Sequence, residues 1–188
     1  MRTHRLGFSL VELLVVIGLI ALLIGILLPT ISRARAAGNR VACQAQLTDI
    51  GRLFQIYLND VKHKLPRVNP MPSIQPPLND APSIVQVLEP YTKGANRVYR
   101  CPADRITFDT TGAPAGFETY FEREGTSFEY NPMLSILAGK QIDDHWLYQQ
   151  GQQNRLHIFK DFESFHGKAG QPASTNYYFA TLRVGDLE

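Results

Sequence analysis

Apolar residues run almost without interruption from Phe8 to Leu28, and the run stops at Pro29. These roughly twenty residues, rising about 1.5 Å each, predict a helix of about 30 Å, the thickness of a bilayer's hydrocarbon core. One carboxylate, Glu12, lies near the start of the run. Inside a span a carboxylate costs about 2.5–3.5 kcal/mol unless a partner neutralises it, so Glu12 either snorkels to the interface or meets a partner. Gly18 and Gly25 lie seven residues apart, either permitting close approach of another helix or simply punctuating an oily one. Pro29 removes one helix hydrogen bond, which predicts a kink or a local melt there.

Beyond Pro29 the pattern changes from uniformly apolar to striped. Residues 32–59 hold no proline, and Cys43, Leu47, Ile50, Phe54, Tyr57, Leu58 and Val61 recur at helical spacing. Such a stripe buries itself, and only the C-terminal part of the chain can receive it. The helix is expected to end between Asp60 and Lys64, before Leu65-Pro66. Pro66, Pro70, Pro72, Pro76, Pro77 and Pro82 then mark an extended connector that is neither helix nor central strand. Residues 83–91 read as a short helix capped by Ser83 and closing near Pro90.

Short strands and hairpins are expected after that. Asn96–Arg100 alternates like a strand, the pieces Thr119-Tyr120-Phe121 and Ser127-Phe128-Glu129-Tyr130 read as hairpin arms, and the final strands fall at Leu156–Phe162 and Tyr177–Val184. Pro132–Lys140 fits either state, and Asp143–Gln153 reads as a loop or helical turn. The predicted fold class is α+β: one long N-terminal helix, membrane-spanning in its first half, packed on a small C-terminal antiparallel sheet. By residue, 1–7 form a leader, 8–64 the helix (8–28 apolar, 30–63 amphipathic), 65–82 the connector and 83–188 a β-rich globular domain.

Composition narrows the function classes. The chain has 188 residues, enough for one modest domain after the helix. Net charge is +2 with pI near 8.6, and its Lys and Arg are spread thinly, so no nucleic-acid partner is expected. A secretory signal would carry a small-residue cleavage site, and Leu28-Pro29-Thr30-Ile31-Ser32-Arg33 offers none. Arg2 and Arg5 precede the span while Arg33, Arg35 and Arg40 follow it, so charge counting alone leaves topology open. Two cysteines, Cys43 and Cys101, are too few for a metal cluster and enough for one disulfide, the alternative being two separate buried thiols.

Catalytic chemistry finds little support. His63, His145, His157 and His166 offer bases, but no serine lies in a nucleophile motif such as G-x-S-x-G. Asp143-Asp144-His145, or Asp104 with Asp109, are the candidate metal ligands, yet neither forms the run of oxygen donors a hard cation takes. Asp143 and Asp144 read better as solvated loop carboxylates, and Trp146 and Tyr148 as packing residues.

Gly7-Phe8-Ser9-Leu10-Val11-Glu12, behind a basic leader and ahead of a long apolar helix, resembles the type IV prepilin signature shared by pilins and the pseudopilins of type II secretion systems. The resemblance implies a pilin-like fold and cleavage between Gly7 and Phe8 by a prepilin peptidase, which methylates the new Phe8 amine. It implies that Glu12 meets the Phe8 amine of a neighbouring subunit, and that Pro29 falls where pilin helices often carry a proline. The implied partners are copies of this chain, other pilin-like subunits, the inner-membrane assembly machinery and lipid. The chain would cross the inner membrane once, N-terminus cytoplasmic and C-terminal domain periplasmic. One departure stands out: Leu6 occupies the place directly before the glycine where Lys or Arg is usual, with Arg5 one position further out.

The C-terminal part resembles planctomycete-type pseudopilin-like proteins through Cys43 with Leu47-x-x-Ile50-Gly51 and Tyr57, Tyr99-Arg100-Cys101-Pro102-Ala103-Asp104, and Tyr130-Asn131. His166, Gly167 and Asn176-Tyr177-Tyr178-Phe179 fit the ending of that group, whereas Thr181 and Leu182 stand where Asp-Gly is expected. Some major pseudopilins hold calcium in a C-terminal loop, which makes Asp143 and Asp144 weak candidates; no other cofactor is expected. Two alternatives remain from the residues alone: a membrane-anchored binding protein with a periplasmic β domain that never polymerises, and a tethered enzyme.

Overall fold

The structure is a computed structural model, and it describes residues 10–74, 79–107 and 116–186. The chain divides into two compact units, Met1–Gly38 and Asn39–Glu188. Helix α1 (Leu10–Asp60) contributes to both. The helix continues through Pro29, where the Thr30 hydroxyl donates to the Leu27 carbonyl and the Ser32 hydroxyl to that of Pro29. Loss of the Pro29 N–H therefore does not melt the helix. Two successive residues in the left-handed region, Lys62 (φ 57°) and His63 (φ 61°), end the turn, and the His63 N–H donates to the Leu58 carbonyl at 2.6 Å.

The second unit is built on the stripe. Cys43, Leu47, Ile50, Gly51, Phe54 and Leu58 are buried on one face of α1. They meet a four-stranded antiparallel sheet, β1 (Phe128–Tyr130), β2 (His157–Asp161), β3 (Tyr177–Phe179) and β4 (Val184–Gly185), in the order β1-β2-β3-β4. Phe128 pairs with Asp161 and Tyr130 with Phe159; Phe159 pairs with Tyr178, past an irregularity between His157 and Phe159. The Phe54 ring sits 5.4 Å, edge to face, from Phe159 and 5.7 Å from Tyr130, a geometry that adds about 0.5–1.5 kcal/mol per pair beyond burial. The Tyr178 ring lies directly against Gly51, where a side chain would collide with it.

Short helices complete the unit: α2 (Ile84–Thr92), α3 (Tyr120–Glu124), α4 (Pro132–Ile136) and α5 (Trp146–Gln149). Ser83 caps α2 with a full capping box, its hydroxyl accepting from the Gln86 N–H while Gln86 reaches back. Two strand expectations are corrected. Asn96–Tyr99 is a 3-10 turn, and Thr119 opens helix α3 in place of a hairpin arm. The reason is local: Thr119 accepts from the Glu122 N–H, and the Asp104 carboxylate accepts from the Tyr120 and Phe121 N–H groups. The single strand expected over Tyr177–Val184 is split, because Leu182 adopts φ 63° and turns the chain back on itself as β3 and β4. The described part of the proline-rich stretch is strapped down: Leu65 exchanges backbone bonds with the 139–140 turn, and Val68 bonds Ser135 through both its N–H and its carbonyl.

Candidate functional site

In the first unit the site is the helix itself. Glu12 lies in the first turn of α1, where the helix dipole favours a negative charge. Large apolar residues from Leu10 to Ile31 are all exposed, among them Leu10 at 78 % and Leu23 at 67 %. So long an oily surface is not left to water; it needs lipid or other apolar helices around it. The helix is long and apolar enough to cross a membrane. Gly18 and Gly25 face open space, with no described atom within 4 Å of an added Cβ. Gly7 and Phe8 lie outside the described residues.

In the second unit, chemistry-bearing groups gather where α1 meets the sheet. Cys43 of α1 and Cys101 are joined by a disulfide across 58 residues, both sulfurs buried. The His166 ring reaches the same point: its Nε2 is 3.9 Å from Cys101 Sγ and 3.4 Å from Asp161 Oδ2, with the His166 side chain 2 % and that of Asp161 0 % exposed. Asp161 Oδ2 also accepts from the Asn176 N–H, while its Oδ1 has no hydrogen-bond partner among the described residues. Burial pushes the Asp161 carboxyl up, against the pull of His166 and Asn176. Asn176 Oδ1 in turn accepts from Gln44 and Arg40 of α1, and Arg40 pairs with Asp186 at 2.8 Å. Alongside, Ser127 Oγ donates to Asp104 and accepts from the Cys101 N–H.

The remaining sequence candidates are scattered. Asp144 Oδ2 accepts from the Gln141 N–H as a cap of the 3-10 turn Ile142–Asp144, and Asp143 is exposed beside it. Asp104 is committed to α3 and Ser127, and Asp109 lies outside the described residues. His145 caps α5 by accepting from the Leu147 N–H. His157 is packed on β2 against Tyr177, its pKa lowered to about 4 by burial and by Lys160. Trp146 is 56 % exposed, not the packing residue its neighbours suggest. Sequence reasoning named His166 as one of four candidate bases and again through a resemblance, and missed Asp161, whose five-residue separation matches neither strand nor helix period.

Residues 2–28 match the family model described as the prokaryotic N-terminal methylation motif. No curated protein and no solved structure matches the chain. The matched segment contains Gly7, Phe8 and Glu12 together with the exposed apolar turns of α1 through Leu28. The chain thus carries a prokaryotic N-terminal methylation motif at its start, consistent with a type IV prepilin-like protein.

Proposed function

We propose that this chain is a pilin-like structural subunit of a type IV pilus-like filament or type II secretion pseudopilus. The carrying observation is the coincidence of the methylation motif with a helix whose apolar residues stand exposed over the matched segment. In this reading a prepilin peptidase cuts between Gly7 and Phe8 and methylates Phe8. The helix waits in the inner membrane with its N-terminus cytoplasmic, and residues 39–188 lie on the periplasmic side. Arg33, Arg35 and Arg40 then belong to a continuing helix and not to a short loop, which is why their charge does not set orientation. In the filament, apolar helices bundle and the Glu12 carboxylate of one copy meets the Phe8 amine of the next, lifting the cost of a charge in an oily environment.

The test is expression with and without a prepilin peptidase, followed by mass spectrometry of the N-terminus. The expected product begins at methylated Phe8, and Gly7→Leu abolishes it. Retention of residues 1–7 in the presence of an active peptidase would favour the non-polymerising anchor. Glu12→Ala is expected to insert in membranes as well as wild type yet fail to enter filaments; normal incorporation would remove the role given to Glu12.

A further inference from the structure

The disulfide has a neighbour that a purely structural cross-link does not need. His166 Nε2 faces Cys101 Sγ at 3.9 Å and Asp161 Oδ2 at 3.4 Å. Cys43 Sγ, Cys101 Sγ and a His166 ring nitrogen all lie within 4.8 Å of one another. Zinc bound tetrahedrally, with bonds of about 2.3 Å to sulfur and about 2.0 Å to nitrogen or oxygen, holds N and O ligands about 3.3 Å apart and S and N ligands about 3.5 Å apart. The observed separations around Nε2 are close to those spacings. Two sulfurs and one imidazole make three ligands of the borderline-soft kind zinc takes, and the Asp161 carboxylate, 3.4 Å from Nε2, stands beside the imidazole as the fourth.

We propose that, when the Cys43–Cys101 bond is reduced, Cys43, Cys101, His166 and Asp161 bind a divalent zinc-like cation in its place. The step balances. A dithiol reductant delivers two electrons and two protons, the S–S bond breaks to two thiols, and the reductant leaves as its own disulfide. The incoming cation displaces both thiol protons and is held by two thiolates, neutral His166 and the Asp161 carboxylate. Side-chain rotation must part the two sulfurs to about 3.7 Å, the spacing of two such sulfur ligands.

Three further features fit the site. Asp161 is fully buried and its Oδ1 has no hydrogen-bond partner among the described residues, a cost that coordination or a coordinated water removes. Cys101 lines a cleft of about 450 Å³ with Gln46, Arg97, Arg100, Pro102 and Asp104, open to solvent, and this cleft is the proposed approach of reductant and cation. The donors also come from separate pieces of chain, Cys43 on α1, Asp161 on β2, and Cys101 and His166 on loops. The cation therefore replaces the disulfide as the tie between helix and body, and oxidising and reducing compartments are served by one clamp.

The experiment uses the full chain in detergent micelles, reduced with a phosphine and titrated with cobalt(II) and then zinc(II). Expected are one cobalt per chain with a thiolate-to-cobalt charge-transfer band, its displacement by zinc, and no such band in the oxidised chain. His166→Ala and Asp161→Asn, purified oxidised and checked by circular dichroism before reduction, are expected to bind at least tenfold more weakly. His166→Cys is expected to restore binding with an altered cobalt spectrum. Should reduction loosen the fold, zinc restores the dichroism and melting temperature of the wild type and not of His166→Ala. A reduced chain that shows no thiolate band, or variants that bind as tightly as wild type, would overturn the proposal.

Discussion

At Gly51 of α1 an added Cβ would lie 2.1–2.5 Å from three carbons of the Tyr178 ring. Alanine ordinarily favours a helix interior over glycine by about 1 kcal/mol. Here the clash decides the sign, because Tyr178 is 2 % exposed and its ring has nowhere to move. Gly51→Ala is expected to lower stability by about 1–3 kcal/mol, read from thermal or urea melts. His157 gives a pH dependence. Its pKa falls from 6.5 to about 4 on folding, so the unfolded chain takes up a proton between those values while the folded chain does not. Stability is lost as pH falls through that window, by roughly 3 kcal/mol in all. Asp104 and Asp161, both pushed up by burial, act with the opposite sign: they favour the fold at acid pH, and that contribution is lost as pH rises through their folded values. The comparison is therefore wild type against His157→Gln, whose melting temperature is expected to fall less between pH 7 and about pH 4.5. None of these positions is visible as a period in the sequence; Gly51, Tyr178, Asp161 and His157 take their meaning from partners far along the chain.

At the scale of elements, the legible parts are those whose signal is local. The α1 stripe at Cys43, Leu47, Ile50 and Phe54 follows from spacing, and Ser83 with Gln86 spells out the start of α2. Thr119-x-x-Glu122 carried the same capping signal for α3, but the aromatic pair Tyr120-Phe121 suggested a strand. Tyr120 instead stacks flat on Phe162 at 4.6 Å, a contact across sequence that no propensity scale contains. Pro132–Lys140, which fits either state by pattern, opens as α4 because Asn131 accepts from the Met133 N–H ahead of Pro132. Between elements the disulfide closes a separation of 58 residues, so its reduction in the presence of a metal chelator is expected to cost about 2–4 kcal/mol. Identical melts with and without reductant would show that packing alone holds α1 to the sheet.

For the whole molecule, among the described residues every buried hydrophobic side chain lies at or beyond Cys43. A fragment of residues 39–188 is therefore expected to be folded, soluble without detergent and cooperative in unfolding, with dichroism and gel filtration as the check. The full chain is expected to need detergent or lipid, because its exposed apolar turns begin at Leu10. The membrane-like character of the N-terminus was legible because uniform oiliness needs no fold to recognise it. The polar knot of Asp161, His166 and Asn176 was not, since three loops and strands must assemble before those residues meet. Cys43 lies 33 residues beyond Leu10 on the same helix and is covalently joined to Cys101. Tension on α1 at Cys43 thus passes into the folded body through a chemical bond, and the helix cannot peel from the sheet while that bond is intact.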